Sequence, residues 1–329
     1  MADETQLWTW FLFNAGLAPQ RAKTLLSAWD QRGLTLHTVL EALPAQAAAL
    51  GLTPEEATRL HPPDKLPDVT ALRWNEPLYP LGLHQLPFKL RPALMFYTGD
   101  LSLLMRPIIY LAPGPLDDET RELLQETVGI LLGENLLLAA FRESPQADLL
   151  LEEMAASEGE VLLFAKQGLA HLTLPEQEQA LLEDGRLLVL SPLPPNASLN
   201  LTWDDVLQQV AASAAMRCVY SHAAALNKIE NHANTLLLAA SPGIRAPQGV
   251  RVVTNATEAA LWLTELPAVP ASTAQQSTPM SSLSSSPSAS LELAAEPPAD
   301  PPPSPAEALS VLEKGGRVPE ALRKRLFGD

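Results

Sequence analysis

Residues 78–116 read LYPLGLHQLPFKLRPALMFYTGDLSLLMRPIIYLAPGPL, and this stretch decides the fold. A β-rich run ends at Phe96-Tyr97, and Gly99-Asp100 follows it as a strong turn signal. Arg106-Pro107 then opens the run IIYLA at residues 108–112, whose unbroken apolar character predicts a strand buried on both faces. The stretch therefore predicts a leading strand, a turn and the first buried strand of an α/β sheet.

The turn after that strand is Pro113-Gly114-Pro115, and the helical pattern that follows is headed by Asp117, Asp118 and Glu119. In parallel α/β folds a ligand phosphate lies at this position, on the N-terminus of the helix. Carboxylates here place acceptors where the anion would sit, but they also stabilise a helix N-terminus. We therefore predict a helix-capping role for the three acidic residues.

Composition limits the classes of function. The chain has 329 residues, enough for two domains with full cores, and a formal net charge of −16. That charge disfavours tight nonspecific binding of nucleic acid and leaves room for a local basic groove. Cys218 is the single cysteine, so an intrachain disulfide is excluded. With neither a secretory signal pattern nor an apolar run of ~18–20 residues, the sequence predicts a cytoplasmic protein that does not span a membrane.

Residues 1–61 predict a small helical domain. Helical patterns run from Gln6 to Asn14, from Pro19 to Gly33 and from Leu36 to Leu43. Thr53 followed by Glu56 is the sequence signature of a capping box at the start of a fourth helix.

The turns at Gly16 and Gly51 give this domain a resemblance to helix-hairpin-helix or sterile-alpha-motif-like modules. In such modules the backbone amides of a turn can meet a DNA phosphate. Arg21 and Lys23 are the candidate cations near the first turn. The scarcity of basic residues favours the alternative, a plain helical packing domain.

Residues 62–266 alternate strands with helices. The expected strands are apolar and mostly lack a two-residue period, which predicts a mostly parallel, doubly wound, Rossmann-like sheet covered on both faces; they span 108–112, 135–141, 161–165, 186–191, 216–221, 235–240 and 250–254. Ligands of such folds bind at the carboxyl ends of the strands. This rule directs attention to Gly114, Arg142, Lys166, Ser191 and Ser221-His222.

The end of the chain differs in composition. Residues 267–303 are rich in Pro, Ser, Ala and Thr and contain no aromatic residue, so we predict a disordered linker. Residues 304–329 predict a short helical segment in which Arg323, Lys324 and Arg325 form a dense basic spot beside Leu322, Leu326 and Phe327. Two readings stay open: a docking or DNA-binding element, and a solvated helix end with cations at its C-terminus.

The order of these parts resembles the DNA-processing protein A (DprA/Smf) family. Similar stretches are Tyr79-Pro80, Leu86-Pro87, the aromatic strand to Phe96-Tyr97, Gly99-Asp100, Arg106-Pro107, TLLLAASPG at 235–243 and VVTNATEAALWL at 252–263. The resemblance covers roughly residues 7–266. It implies a helical N-terminal domain followed by an extended Rossmann-like domain.

The sequence departs from the family pattern in the middle of the α/β region. The family's phosphate-binding Gly-Ser-Arg turn corresponds here to Pro113-Gly114-Pro115, so Gly114 alone is carried over. Ser191 is likewise the single match to the family's Ser-Glu before a proline-rich turn. The Arg-Asn-Arg motif expected near Val206 to Gln208 is absent. Glycines allow close approach to a phosphate and arginines bind it bidentately, so a site of that kind is lost or altered.

The resemblance implies a protein, not an enzyme, that binds single-stranded DNA and assists the loading of a RecA-type recombinase during DNA uptake and transformation, with a homodimer as a further expectation. Gly114 and Ser191 are candidate DNA contacts by the family match. Charge and position add the remaining candidates: Arg142, Lys166, Arg217, Arg323, Lys324 and Arg325. The alternative is a degenerate Rossmann scaffold that acts through proteins, and a third option is a nucleotide-handling enzyme of the lysine-decarboxylase-like group.

Other chemistry finds little support in the sequence. Cys218 falls in an expected buried strand, which favours a structural thiol. Ser221 lacks the glycine pattern of a nucleophile elbow, and His222 and His232 do not have metal-ligand spacing. Neither a Walker A loop nor a Gly-x-Gly-x-x-Gly run is present. We therefore expect no metal and no cofactor.

Overall fold

The structure is a computed structural model that describes residues 3–66, 68–198, 204–228, 234–241 and 243–265. Helices and strands alternate through most of it. The helices are α1 (Glu4–Phe13), α2 (Pro19–Asp30), α3 (Leu36–Gln46), α4 (Pro54–Arg59), α5 (Asp118–Leu131), α6 (Pro145–Ala156), α7 (Glu176–Glu183), α8 (Asp204–Ala214) and α9 (Ala256–Thr264). The strands are β1 (Ala71–Arg73), β2 (Leu94–Gly99), β3 (Ile108–Leu111), β4 (Leu137–Phe141), β5 (Val161–Phe164), β6 (Leu187–Ser191), β7 (Arg217–Tyr220), β8 (Thr235–Leu238) and β9 (Arg251–Val253).

The strands form one mostly parallel sheet in the order β1-β2-β6-β5-β4-β3-β7-β8-β9. All neighbours from β6 to β9 are parallel, whereas β2 runs antiparallel to both β1 and β6. The order reverses between β3 and β7, because the chain builds outward from β3 in one direction and then returns to its other side. The predicted α/β sheet is confirmed, and its switch point lies between β3 and β7.

Side chains alternate between two cores, one on each face of the sheet. On β3, Ile108 and Tyr110 belong to one core and Ile109 and Leu111 to the other, and all four are at most 5% exposed. This arrangement explains the unbroken apolar run, because a strand covered on both faces needs no polar side. The prediction that this strand is buried on both faces is confirmed.

The N-terminal helices pack into the same core as one face of the sheet. Leu7, Trp8 and Phe11 of α1 and Trp29 of α2 are each at most 4% exposed and join the core that contains Tyr110. The described residues belong to one compact unit. The boundary expected at residue 61 stays a prediction about independent folding.

The turn and cap signals are confirmed where the structure describes them. Gly99 ends β2 at φ +107°, and a Cβ there would lie 2.1 Å from the Leu187 carbonyl oxygen. Thr53 and Glu56 form the complete capping box of α4. The three-residue edge strand β1 was not expected, since Ala71-Leu72-Arg73 is too short to show a period. The connection from β7 to β8 contains a 3-10 segment over Ala223–Lys228 within the described residues.

Some expectations lie outside the described residues: His232, the linker at 267–303, and the segment 304–329 with Arg323, Lys324 and Arg325. No helix in the part of the chain that the structure describes is long and apolar enough to cross a bilayer.

Candidate functional site

The switch point brings together the residues that follow β3 and β7. Gly114 comes three residues after the end of β3, and Ser221 follows β7 directly. A Cβ on Gly114 would lie 3.3 Å from the Ser221 hydroxyl oxygen and 3.7 Å from the His222 Cβ. The two strand ends therefore approach as closely as they do because Gly114 has no side chain.

The space at this crossing is occupied by the side chain of Gln146. This residue lies in the first turn of α6, after the Ser144 N-cap and Pro145, and is 1% exposed. Its Nε2 donates to the Gly114 carbonyl oxygen at 2.9 Å and to the Ser221 hydroxyl at 3.3 Å. Its Oε1 accepts from the Gly114 N–H at 3.4 Å. The backbone groups of Gly114 are thus bound by a side chain of the same protein.

The head of α5 confirms the expected capping role of Asp117. Its carboxylate accepts the Thr120 N–H at 2.8 Å, and the hydrogen bonds to the Thr120 side chain and backbone lower the pKa of Asp117. Asp118 and Glu119 occupy the first turn, where they interact favourably with the helix dipole. This helix start presents negative charge to solvent.

Arg142 is held by an ion pair at the carboxyl end of β4. Its Nε lies 2.8 Å from Glu178 Oε2, and its second nitrogen donates to the other carboxylate oxygen and to the Thr173 carbonyl. The side chains of Arg142 and Glu178 are 18% and 8% exposed. The guanidinium therefore joins the loop after β4 to α7, and its charge is neutralised.

Lys166 is likewise paired, at the carboxyl end of β5. Its Nζ lies 2.5 Å from Asp204 Oδ1 at the start of α8, and 5.1 Å from the centre of the Phe141 ring. Gln208 donates to the other oxygen of the same carboxylate at 2.6 Å. With its side chain 14% exposed, Lys166 offers little charge to a ligand in solution.

Ser191 has an internal role in the structure. It is fully buried, its hydroxyl donates to the Gln167 carbonyl at 2.8 Å, and it accepts from the Leu193 N–H at 3.2 Å. These bonds tie the loop after β6 to the loop after β5. The family match thus identifies a residue that organises the carboxyl edge rather than one that faces a ligand.

Arg217 lies at the opposite edge of the sheet, because it begins β7. Its guanidinium stacks on the Trp262 ring at 3.7 Å and donates to the Glu265 carbonyl at 2.9 Å. It is 7% exposed, and burial lowers its pKa. The structure therefore separates Arg217 from the other candidates and assigns it to the docking of α9.

The two cations of the helical region are also used internally. Arg21 forms a bidentate pair with Glu56 and donates to the Gly51 carbonyl at 2.6 Å. Lys23 is 7% exposed and donates to the backbone carbonyls of Phe88 and Arg91. These contacts favour the plain helical packing domain over a DNA-binding hairpin.

Sequence reasoning missed an exposed cation in the connection between β8 and β9. Arg245 lies in the loop after β8, beside Ile244, which is 42% exposed. Among the described side chains that follow the strand ends, Arg245 is a cation without an ion pair or hydrogen bond. Gly243, at φ +97°, sets the backbone direction just before these two residues. The sequence signal for this loop is the family-like Pro-Gly at the end of residues 235–243.

Cys218 and His222 have structural surroundings. Cys218 is buried, and burial raises the pKa of its thiol to about 12. His222 Nδ1 accepts from the Ala224 N–H at 3.3 Å and so shapes the turn after β7. Within the described ranges no cluster of three or more His, Cys, Asp or Glu side chains has the arrangement of a metal site.

Comparison with solved structures identifies the fold. The DNA processing protein A of Streptococcus pneumoniae matches with a TM-score of 0.60 at 14% identity, covering 80% of this chain and 99% of that protein. DNA processing protein A of Helicobacter pylori, described with a unique single-stranded DNA binding mode, matches with a TM-score of 0.48 at 10% identity, covering 59% of this chain and 95% of that protein. No family model and no curated protein matches the sequence. The chain has a DprA-like fold, as the resemblance implied.

Proposed function

We propose that this is a DprA-like DNA-processing protein of the cytoplasm that binds single-stranded DNA and assists the loading of a RecA-type recombinase onto it. The proposal is for a binding protein, not an enzyme. The observation that supports it best is the extent of the structural match, which covers 80% of this chain and 99% of the pneumococcal DNA processing protein A.

The geometry restricts where DNA would bind. The backbone of Gly114 is occupied by Gln146, and Arg142 and Lys166 are neutralised by Glu178 and Asp204. The loop after β8 remains, with the exposed Arg245 available to a phosphate and Ile244 available to the face of a base. We therefore propose the connection between β8 and β9 as the DNA contact.

Salt-dependent binding tests the proposal. The full-length chain is titrated against a fluorescent oligothymidylate, and anisotropy is measured from about 50 to 200 mM salt. Binding through phosphates predicts an affinity that falls along a log–log slope of about −0.7 per neutralised phosphate. Arg245→Glu should weaken binding and flatten that slope, whereas Lys65→Glu, an exposed cation of the connecting segment, should change neither. Absence of binding at about 50 mM salt would refute the proposal.

A second function is favoured by the charge pairing at the carboxyl edge. Two of its cations are already paired with carboxylates, and the chain carries a net charge of −16. A scaffold that acts through protein contacts would explain both features, since it needs no anion site. Pull-down with the host recombinase in nuclease-treated extract separates the two functions. Capture that survives nuclease, together with no binding to the oligonucleotide, would support the scaffold.

A further inference from the structure

We propose that Gln146 is a built-in neutral ligand of the switch point, which occupies the ligand crevice of this fold and makes it a site for an amide rather than for an anion. In open α/β sheets the crevice beyond the strand ends at the switch point is where ligands bind. Here that crossing lies between β3 and β7, and the buried side chain of Gln146 fills it from α6. The inference does not depend on DNA binding.

The hydrogen bonds of Gln146 match those of a bound amide. Its Nε2 donates to the Gly114 carbonyl at 2.9 Å, a contact that an anion would lack because it has no proton to donate. Its Oε1 accepts from the N–H of the same residue, where an anion would place an oxygen. Because the Gln146 amide has both a donor and an acceptor, it satisfies both the carbonyl and the N–H of Gly114.

The surroundings disfavour an anion as the replacement. The Gly114 carbonyl points at the Gln146 amide nitrogen. An anion in the place of this amide would face the carbonyl oxygen, and both groups are acceptors. The helix that follows Gly114 begins with Asp117, Asp118 and Glu119. These carboxylates face solvent, and their repulsion, although screened, would add to that cost.

The contacts also give Gln146 a mechanical role. Gly114 follows β3, Ser221 follows β7 and Gln146 follows β4, so one side chain joins the ends of three strands. These partners are 32 and 75 residues from it in sequence. In folds of this type a bound ligand can make such links, and here the protein makes them itself.

Removal of the side chain provides the first measurement. Gln146→Ala should lower the melting temperature of the full-length protein by about 4–8 °C, because buried backbone groups lose their partners. Gln125→Ala is the matched control, since its amide donates to Glu153 on the surface, and it should shift the melting temperature by less than about 1 °C. An unchanged melting temperature in Gln146→Ala would overturn the proposal.

Chemical rescue then identifies the ligand class. About 0.5 M acetamide should raise the melting temperature of Gln146→Ala by about 1–2 °C more than that of the wild type, because the amide refills the cavity. Sodium phosphate, compared with sodium chloride at equal ionic strength, should give no such specific gain in either protein. Specific stabilisation of Gln146→Ala by phosphate, or of the wild type by phosphate, would show an anion site and contradict the inference.

Gln146→Glu provides a test that does not depend on a cavity. An ionised Glu would face the Gly114 carbonyl without a proton to donate, whereas the protonated acid has the donor and acceptor of the amide. The melting temperature of this variant should therefore approach that of the wild type as the pH falls from about 8 to about 5, since burial raises a carboxyl pKa. A difference that stays constant over this range would count against the proposed hydrogen bonds.

Discussion

Arg21 and Glu56 form a bidentate ion pair that joins α2 to α4, with both nitrogen–oxygen distances at 2.9 Å. Glu56 also accepts the N–H of Thr53 at 2.9 Å, so one carboxylate completes the capping box and anchors the arginine. The hydrogen bond from Arg21, with that from Thr53, lowers the pKa of Glu56 to about 2. This pair closes the small helical bundle that precedes the sheet.

Glu56→Gln should reduce the free energy of unfolding at pH 7 by about 0.5–1 kcal/mol, because the side chains of the pair are partly exposed and screened. A carboxylate whose pKa is lowered by folding stabilises the protein above its unfolded pKa, here 4.5, and loses that effect as the pH falls to about 2. Urea titrations of both proteins should therefore converge over this window. Glu55→Gln, an exposed acidic neighbour, should show no such convergence.

Lys23 gives a second pH dependence, of the same sense but in the alkaline range. Burial lowers its pKa from 10.5 to about 8, so between these values the unfolded chain holds a proton that the folded protein releases. Stability therefore rises with pH across this window. Lys23→Met should be less stable than the wild type by about 1–3 kcal/mol, since the Phe88 and Arg91 carbonyls lose their donor. The difference between the two proteins should grow from pH 8 to pH 10; a constant difference would exclude a lowered pKa.

Substitution by alanine should have opposite effects on stability at two glycines. Gly82 lies against α8, where a Cβ would come within 1.9 Å of the Ser213 carbonyl oxygen, so Gly82→Ala should destabilise by about 1–3 kcal/mol. Gly129 lies inside α5 with open space around its Cβ position. Gly129→Ala should therefore stabilise by about 0.5–1 kcal/mol. Thermal unfolding measures both, and equal signs for the two variants would contradict the packing described here.

The thiol of Cys218 should react slowly with thiol reagents in the native protein. Its pKa of about 12 and its burial in β7 leave little thiolate near neutral pH. Reaction with Ellman's reagent at pH 8 should proceed at the rate of local opening in the native protein and be complete at once in about 6 M guanidinium. One thiol per chain must be recovered, since Cys218 is the single cysteine. Prompt labelling of the native protein would place the thiol on the surface.

The sequence predicted the sheet well because its signals are local. The run IIYLA, the turn at Gly99 and the cap at Thr53 each depend on a few adjacent residues, and the structure confirms all three. β1 escaped prediction because three residues carry no period, and its existence depends on pairing with Leu94–Phe96 of β2. The site was harder to predict for the same reason. Gln146 reaches Gly114 and Ser221 across 32 and 75 residues, and nothing adjacent in sequence marks that meeting.

Charge alone did not reveal the partners of the candidate cations. Arg142 and Lys166 do follow strand ends, but their carboxylate partners, Glu178 and Asp204, come from later helices. Arg217 begins its strand, so a shift of a few residues along a strand changes the edge of the sheet to which a side chain belongs. Arg245 was passed over because an isolated arginine in a loop carries no pattern. The residues that contact DNA stay a prediction for the binding experiment to decide.

The pairing of β2 with β6 has a consequence for how the chain acquires its structure. Phe96 of β2 pairs with Ser191 of β6, which lies ninety-five residues later in the chain. During synthesis β2 therefore cannot join the sheet until β6 has been made. Such distant pairing slows folding, because a long loop must close before the contact is gained. During synthesis the aromatic side chains of α1 and α2 would meanwhile lack the sheet that covers them. Until β6 is made, the emerging N-terminal region therefore exposes apolar surface, which is the condition that favours aggregation during folding.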